Sequence, residues 1–249
     1  MPFFGTKDVS TLDAAPRMRG LDTEPWEIAN VEVLQLTMEI NDRQMQSLLP
    51  KALHPTIPPI AYFSVHRFPD SPVGAFSLAQ VRIGCRAGVR PRGFLTAAYV
   101  DSAEAADALG SRWGFTCHQG EVTLHRYHDR VAVTVSDGAS VCLEAALVTP
   151  EPISGGDIQY VANMNFAHLE KPDGEEPLLV QVDPEFTFHR AERGRPEVSR
   201  FVAGAWNADG VEIVYPVAAS FALVDTGFPK IRYVVNPDLP ALAGSRMVS

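Results

Sequence analysis

The chain has 249 residues, 46% of them hydrophobic, which is enough for one large β-rich domain or two small ones with a substantial core. A formal charge of −9 disfavours a nucleic-acid partner, because phosphate binding needs clustered cations. No apolar run reaches the roughly 18 residues that a membrane-spanning helix requires.

Residues 1–25 are polar and broken by Pro2, Pro16 and Pro25, and read as a loosely packed N-terminal arm ahead of a single domain over residues 26–249. The segment from Met1 to Asp8 lacks the apolar run of a signal peptide, so a soluble, cytoplasmic protein is expected. Residues 30–40 nearly alternate and predict a strand. Asn41-Asp42 then offers an N-cap for a short helix that Pro50 stops. After Pro-rich turns at 55–59, strands are predicted over 60–68 and over Phe76 to Gly84. In the second of these, positions 76, 78, 80 and 82 share one face, because side chains alternate along a strand.

A basic turn (Arg86, Arg90, Arg92) leads to a strand at 94–100, and Asp101 is read as the cap of a helix over 102–112 with Glu104 in its first turn. Strands follow at 120–127, 130–136 and 139–148, then a loop from Glu151 to Asp157. The second half reads as strands at 158–166, 177–182, 185–191, 197–206, 211–215 and 217–224, with a last one near Ile231 to Val235. No internal repeat is present.

Within this pattern, Tyr99-Val100-Asp101, the helix, and Trp113-Gly114-Phe115-Thr116-Cys117-His118 resemble the core signature of the acetoacetate decarboxylase family. In that family a Tyr-x-Asp opens a helix and Trp-Gly-Phe-Pro-Lys or a close variant follows it. The two patterns align without a gap from Asp101 to His118. Leu49-Pro50-Lys51-Ala52-Leu53 is similar to the family's Leu-Pro-x-Pro-Leu element. Asn165-Phe166 through His189-Arg190-Ala191 and Gly194 is similar to its second half, so the resemblance spans residues 30–237. It implies a mainly β (α+β) fold: an antiparallel, closed or cone-like β-barrel with a few short helices around a small-molecule cavity. It also implies a homo-oligomer.

The resemblance places the family's proline at Thr116, its Schiff-base lysine at Cys117, its second lysine at His118, and a pocket glutamate at Leu78. A Schiff base needs a primary amine. Neither a thiol nor an imidazole forms an iminium, so decarboxylation through an enamine cannot run through position 117. What is expected instead is a cofactor-independent acid–base enzyme of the lyase, isomerase or cyclase type, in secondary-metabolite biosynthesis. Its substrate would be an enolisable keto or polyketide-like metabolite, undergoing cyclisation, dehydration, isomerisation or imine-free decarboxylation. The alternative is a non-catalytic small-molecule-binding protein on the same barrel.

Candidate catalytic residues are His118, for proton transfer near neutral pH, and Arg82, to anchor a carboxylate or polarise a carbonyl. Arg82 reads equally well as a strand-end arginine reaching solvent. Gln80, Cys117, Leu78, Phe115 and Trp113 are candidate substrate-binding residues. Cys117 and His118 are adjacent, so in extended backbone they point to opposite faces; Cys117 also reads as a small buried apolar residue.

Other signals carry less. The three cysteines (Cys85, Cys117, Cys142) lack the spacing of a disulfide scaffold or zinc ribbon. His125 and His128 are three apart on a strand and face opposite ways, so no shared metal is expected there. Asp183, Glu185, His189 and Glu192 read chiefly as surface ion pairs. Gly227-Phe228-Pro229-Lys230 repeats the family's Gly-Phe-Pro-Lys letters but stands before the terminal strand, and Lys230 is read as a decoy. Nucleotide-binding glycine motifs are absent, so no cofactor or metal is implied.

Overall fold

The structure, a computed structural model, describes residues 4–12 and 15–248. Residues 1–3, 13 and 14 of the expected arm, and Ser249 at the end of the expected domain, lie outside the described residues.

In chain order the first half comprises β1 (Arg17–Met18), β2 (Trp26–Ile40), α1 (Met45–Leu48), β3 (His54–Pro55), β4 (Ile60–Phe68), β5 (Phe76–Ala87), β6 (Arg90–Val100) and α2 (Ala103–Trp113). The middle comprises β7 (Cys117–Gln119), β8 (Glu121–Arg126), β9 (Arg130–Asp137) and β10 (Ser140–Pro152). The remainder comprises β11 (Asn163–Lys171), β12 (Gly174–Val182), β13 (Thr187–Phe201), β14 (Ile213–Phe228), β15 (Tyr233–Val235), α3 (Ala241–Gly244) and β16 (Ser245–Met247).

All these strands join one mainly antiparallel sheet in the order β16-β15-β12-β11-β6-β5-β4-β2-β14-β13-β10-β9-β8, with β1, β3 and β7 attached to β11, β5 and β6. The hydrogen-bonded path is open. It curls nonetheless, because β8 packs back against β5 and β6, and Gly120 donates its N–H to the Val100 carbonyl at 3.1 Å. The result is the β-rich, barrel-like fold with a few short helices that the sequence leads one to expect. No helix among the described residues is long and apolar enough to cross a membrane.

Strand alternation divides the buried side chains between two cores. On one face, Leu34, Leu36 and Met38 of β2 meet Phe63 of β4, Val81 of β5, Val133 of β9, Leu143 and Leu147 of β10, and Trp206. On the other, Val31 and Val33 of β2, Phe68 of β4, Leu78 of β5 and Val224 of β14 meet α2 and the inner face of β12. The cavity described below opens on this second side.

Local differences from the sequence reading have simple causes. Ser102, not Asp101, caps α2: its side chain accepts the Ala105 N–H, while the Asp101 carboxylate accepts the Ser77 N–H at 2.7 Å and ties the start of β5 to the helix. Gly114 ends α2 in the left-handed conformation (φ 69°), and a Cβ there would lie 2.9 Å from Ala167 Cβ. The expected strands at 211–215 and 217–224 are one strand, β14, whose register with β2 slips near Pro216. Residues 158–162 are a loop rather than a strand; β11 starts only at Asn163. The segment read as a loose lead-in contributes β1, parallel to β11, and Met18 there is fully buried.

Candidate active site

The site begins with a register of three strands. Pairing of β2, β4 and β5 sets side chains in rows across the sheet: Val33, His66 and Leu78 in one row, Gln35, Ser64 and Gln80 in the next, and Thr37, Tyr62 and Arg82 in the third. Phe68 faces Phe76 one row before the first of these. Polar residues on an otherwise apolar face are costly unless they satisfy one another. These largely do.

Arg82 is 4% exposed and lies at the centre of the network. Nη1 donates to the Val161 carbonyl at 2.7 Å and to Asn163 Oδ1 at 2.8 Å; Nη2 donates to Gln35 Oε1 at 3.0 Å and to Ser64 Oγ at 2.7 Å. Asn163 in turn donates through Nδ2 to Gln80 Oε1 at 2.7 Å. The guanidinium carbon sits 5.6 Å from the Tyr62 ring centre. Two backbone features make room for it. The β5–β6 register slips between Val81 and Arg82, and the Thr96 hydroxyl of β6 bonds to the Val81 carbonyl. At Gly93, any Cβ would press to 3.0 Å from Arg82 Cβ and 3.2 Å from its Cδ.

Every acceptor on Arg82 is neutral. No carboxylate among the described residues pairs with it, although a buried charge costs several kcal/mol when removed from water. Burial lowers its pKa to about 10, partly offset by Tyr62 and Tyr160, so it stays cationic at neutral pH. Its Nε–H has no partner among the described residues, and neither does the Tyr160 hydroxyl, which lies near Ser220 without a well-formed bond. Burial pushes the Tyr160 pKa up. His66 is half-buried; burial first, then the Arg82 charge, lower its pKa to about 3, so the imidazole is neutral.

Arg82, Gln35, His66, Gln80, Tyr160 and Asn163 form the polar part of the wall of an interior cavity of about 30 Å³, and Phe68, Leu78, Phe115, Val182, Phe186 and Phe228 its apolar part. That volume holds on the order of one or two waters. Pro184, Thr226, Gly227 and Phe228 also line an open outer cleft of about 680 Å³, so they form the partition between cavity and solvent.

Leu78, Gln80, Arg82 and Phe115 are therefore brought together at one cavity. Trp113 is fully buried behind it: its indole N–H donates to the Pro229 carbonyl at 2.8 Å, and its ring lies 5.0 Å from those of Trp26 and Phe228. Trp113 thus supports Phe228 without touching the cavity. Cys117 pairs with Ala98, which pairs with Gln80, so all three occupy one sheet face; Ala98 stands between the thiol and the cavity. Burial raises the Cys117 pKa to about 12, leaving an unreactive thiol. His118 pairs with Tyr99 on the opposite face, its ring 5.4 Å from the Tyr99 ring and its Nε2 buried without a partner among the described residues. Neither Cys117 nor His118 lines the cavity.

None of the four lysines lines it either. Lys230 pairs with Asp22 at 2.9 Å beside the outer cleft, Lys171 with Glu176 at 2.6 Å, and Lys51 lies 3.9 Å from Asp238. Lys7 borders a separate small cavity, its pKa lowered by burial. The dispersed acid–imidazole set forms separate pairs: His189 with Asp225 at 2.8 Å, and Glu192 with Arg126 through two contacts. No cluster of three or more metal-ligating side chains occurs among the described residues.

The residues that sequence reasoning missed are Gln35, Ser64, His66, Tyr160 and Asn163. Their available signal was a polar side chain interrupting an apolar strand face, as Gln35 does after Val31 and Val33, and Ser64 and His66 do in β4. Tyr160 and Asn163 come from a loop and strand start far away in sequence.

The comparisons with known proteins agree with this architecture. A solved acetoacetate decarboxylase superposes with a TM-score of 0.73 at 18% identity, covering 92% of this chain and 94% of that one. The acetoacetate decarboxylase of Legionella pneumophila gives 0.72 at 18% identity, covering 91% and 95%. The enduracididine biosynthesis enzyme MppR, complexed with the condensation product of pyruvate and imidazole 4-carboxaldehyde, gives 0.69 at 15% identity, covering 92% and 91%. No curated protein sequence matches the chain. The family model for acetoacetate decarboxylase matches residues 11–234, and the chain belongs to the acetoacetate decarboxylase family.

Proposed function

We propose that the protein is a small-molecule enzyme of the acetoacetate decarboxylase-like superfamily that acts without a Schiff base on an enolisable keto or polyketide-like metabolite. One observation carries the reading: a buried cation with only neutral partners lines a cavity that no lysine reaches. In a Schiff-base enzyme, the iminium accepts the electron pair released at the neighbouring carbon. Here the Arg82 charge would do so indirectly, by stabilising the carbonyl oxygen as it becomes an enolate oxygen. As a bond to the α-carbon breaks, its pair forms the new C=C bond and the carbonyl π pair moves onto oxygen. The resulting charge is worth more to stabilise in a small low-dielectric cavity than in water.

The partnerless Arg82 Nε–H and Tyr160 hydroxyl are donors suited to that oxygen after a small rearrangement. We assign proton transfer to His66 rather than His118, since His66 is the imidazole on the cavity wall. A neutral imidazole beside a guanidinium is better suited to donating a hydrogen bond or proton to a developing oxyanion than to holding a positive charge. Cyclisation, dehydration, isomerisation and imine-free decarboxylation all share this enolate step. The reading includes a self-associating chain with a biosynthetic role and no cofactor.

The test is incubation with a panel of 2-oxo and 3-oxo acids, followed by mass spectrometry and borohydride treatment. Turnover that borohydride does not block, and that falls at least 100-fold in Arg82→Met, is the expected result. A borohydride-trapped lysine adduct would sink it. The second reading, a non-catalytic binding protein, is favoured by a cavity wall that carries no carboxylate among the described residues. It predicts ligand retention without consumption.

A further inference from the structure

The polarity of the cavity face is not scattered. It changes in one direction along β4 and β5. Tyr62 and Arg82 share one row, Ser64 and Gln80 the next, His66 and Leu78 the third, and Phe68 and Phe76 the fourth. Each row is two residues, or about 6.6 Å of strand, so the Gln80 row and the Phe76 row are about 13 Å apart. The Arg82, Gln80 and Ser64 hydrogen-bonding groups are therefore at one end of these strands, and Leu78, Phe68 and Phe76 at the other. Which end meets solvent is decided by the partition: Phe228 lines both the cavity and the outer cleft, and its ring lies 5.5 Å from that of Phe68 and 5.8 Å from that of Phe115. Leu78, at the position where the family resemblance places a glutamate, extends the apolar end.

We infer that the site takes an amphiphilic oxo compound, with its oxygen-bearing head in the Arg82–Gln80 half and an apolar acyl or aryl tail laid past Leu78 towards Phe68 and Phe228. The inference rests on the proposal that Arg82 holds the reacting oxygen, and it adds the substrate class and the direction of binding. A head-only ligand makes no apolar contact with the Leu78 and Phe68 rows. A tail laid over them removes apolar surface from water with each added methylene. Because the interior space is only about 30 Å³, the tail must displace the Phe228 partition to enter.

The experiment is calorimetric or NMR titration of the full chain with pyruvate, 2-oxohexanoate, 2-oxooctanoate and phenylpyruvate, on wild type, Arg82→Met and Leu78→Ser. Wild type should bind 2-oxohexanoate at least tenfold tighter than pyruvate, with 2-oxooctanoate tighter again. Leu78→Ser should shrink that ratio, and Arg82→Met should weaken every member of the series. A flat or inverted chain-length series, with Arg82→Met still weakening all ligands, overturns the tail and leaves the role of Arg82 standing. Binding that is indifferent to Arg82→Met, or no binding to any member, overturns both. The wild-type series decides the tail without any variant, so a misfolded mutant does not block the test.

Discussion

The two faces of the β2–β4–β5 sheet are made by the same strands, residue by residue, yet they have opposite character. One face carries Leu34, Leu36, Phe63 and Val81, all essentially unexposed, into a core closed over by β8, β9 and β10. The other carries Gln35, Ser64, Gln80 and Arg82 into a wall where two polar atoms, Arg82 Nε and the Tyr160 hydroxyl, have no partner among the described residues. The first face has only packing to lose. The second holds desolvated polar groups that a better-packed apolar set could replace, and polar groups maintained at such cost are where a ligand is to be sought. Period-two alternation lets one strand serve both purposes without compromise.

Perturbing the faces one at a time sharpens that contrast. The largest effect is expected on the dry face. Phe63→Ala removes a fully buried ring that stands edge-on to Phe201, and should cost about 3–5 kcal/mol in denaturant unfolding. Any loss of activity should track the loss of folded protein. Arg82→Met reverses the pattern. Relief of desolvation offsets the lost hydrogen bonds, so stability should move by less than about 2 kcal/mol. Turnover or oxo-acid binding should nonetheless fall at least 100-fold. Equal stability losses in the two variants would erase the distinction between the faces.

Next in size is a pH effect. His66 has a folded-state pKa of about 3, below the ordinary value of 6.5, so the unfolded chain binds the extra proton. This contribution to stability is fully present above pH 6.5 and is lost as pH falls towards 3. Between pH 6.5 and pH 5 the loss should be about 2 kcal/mol, and His66→Gln should remove that part of the slope in urea titrations. An unchanged acid slope in His66→Gln would show that the imidazole is not held neutral. The smallest effects are expected at Cys117→Ala and His118→Ala. Both residues lie off the cavity wall, so turnover should stay within about threefold of wild type; a large loss at His118→Ala would return proton transfer to that residue.

Much of the fold was legible. The strands at 60–68 and from Phe76, and the α2 helix before Trp113, follow from alternation and from helix-boundary residues, and the Tyr99–His118 signature pointed to the family. The shared face of Leu78, Gln80 and Arg82 was legible too, because it lies within one strand. What escaped detection lay between strands. Gln35 and Ser64 are single polar residues within apolar runs, and only their register with Gln80 and Arg82 makes them a network. Residues 158–162 alternate well enough to suggest a strand. They form a loop instead, held by Arg82 through the Val161 carbonyl and by Gln35 through the Gln159 carbonyl.

By itself, the sequence determined that no amine stands at position 117, which is a matter of covalent chemistry and needs no coordinates. It also determined that Cys117 and His118 face opposite ways, since adjacent residues on a strand must. Only the tertiary structure decided which imidazole reaches the cavity. That choice depends on long-range pairing: β4 against β5 brings His66 to the wall, while β7 against β6 leaves Ala98 between Cys117 and Gln80 and turns His118 towards Tyr99. Local periodicity sets which way a side chain points, but the neighbour it meets is set by strands distant in sequence.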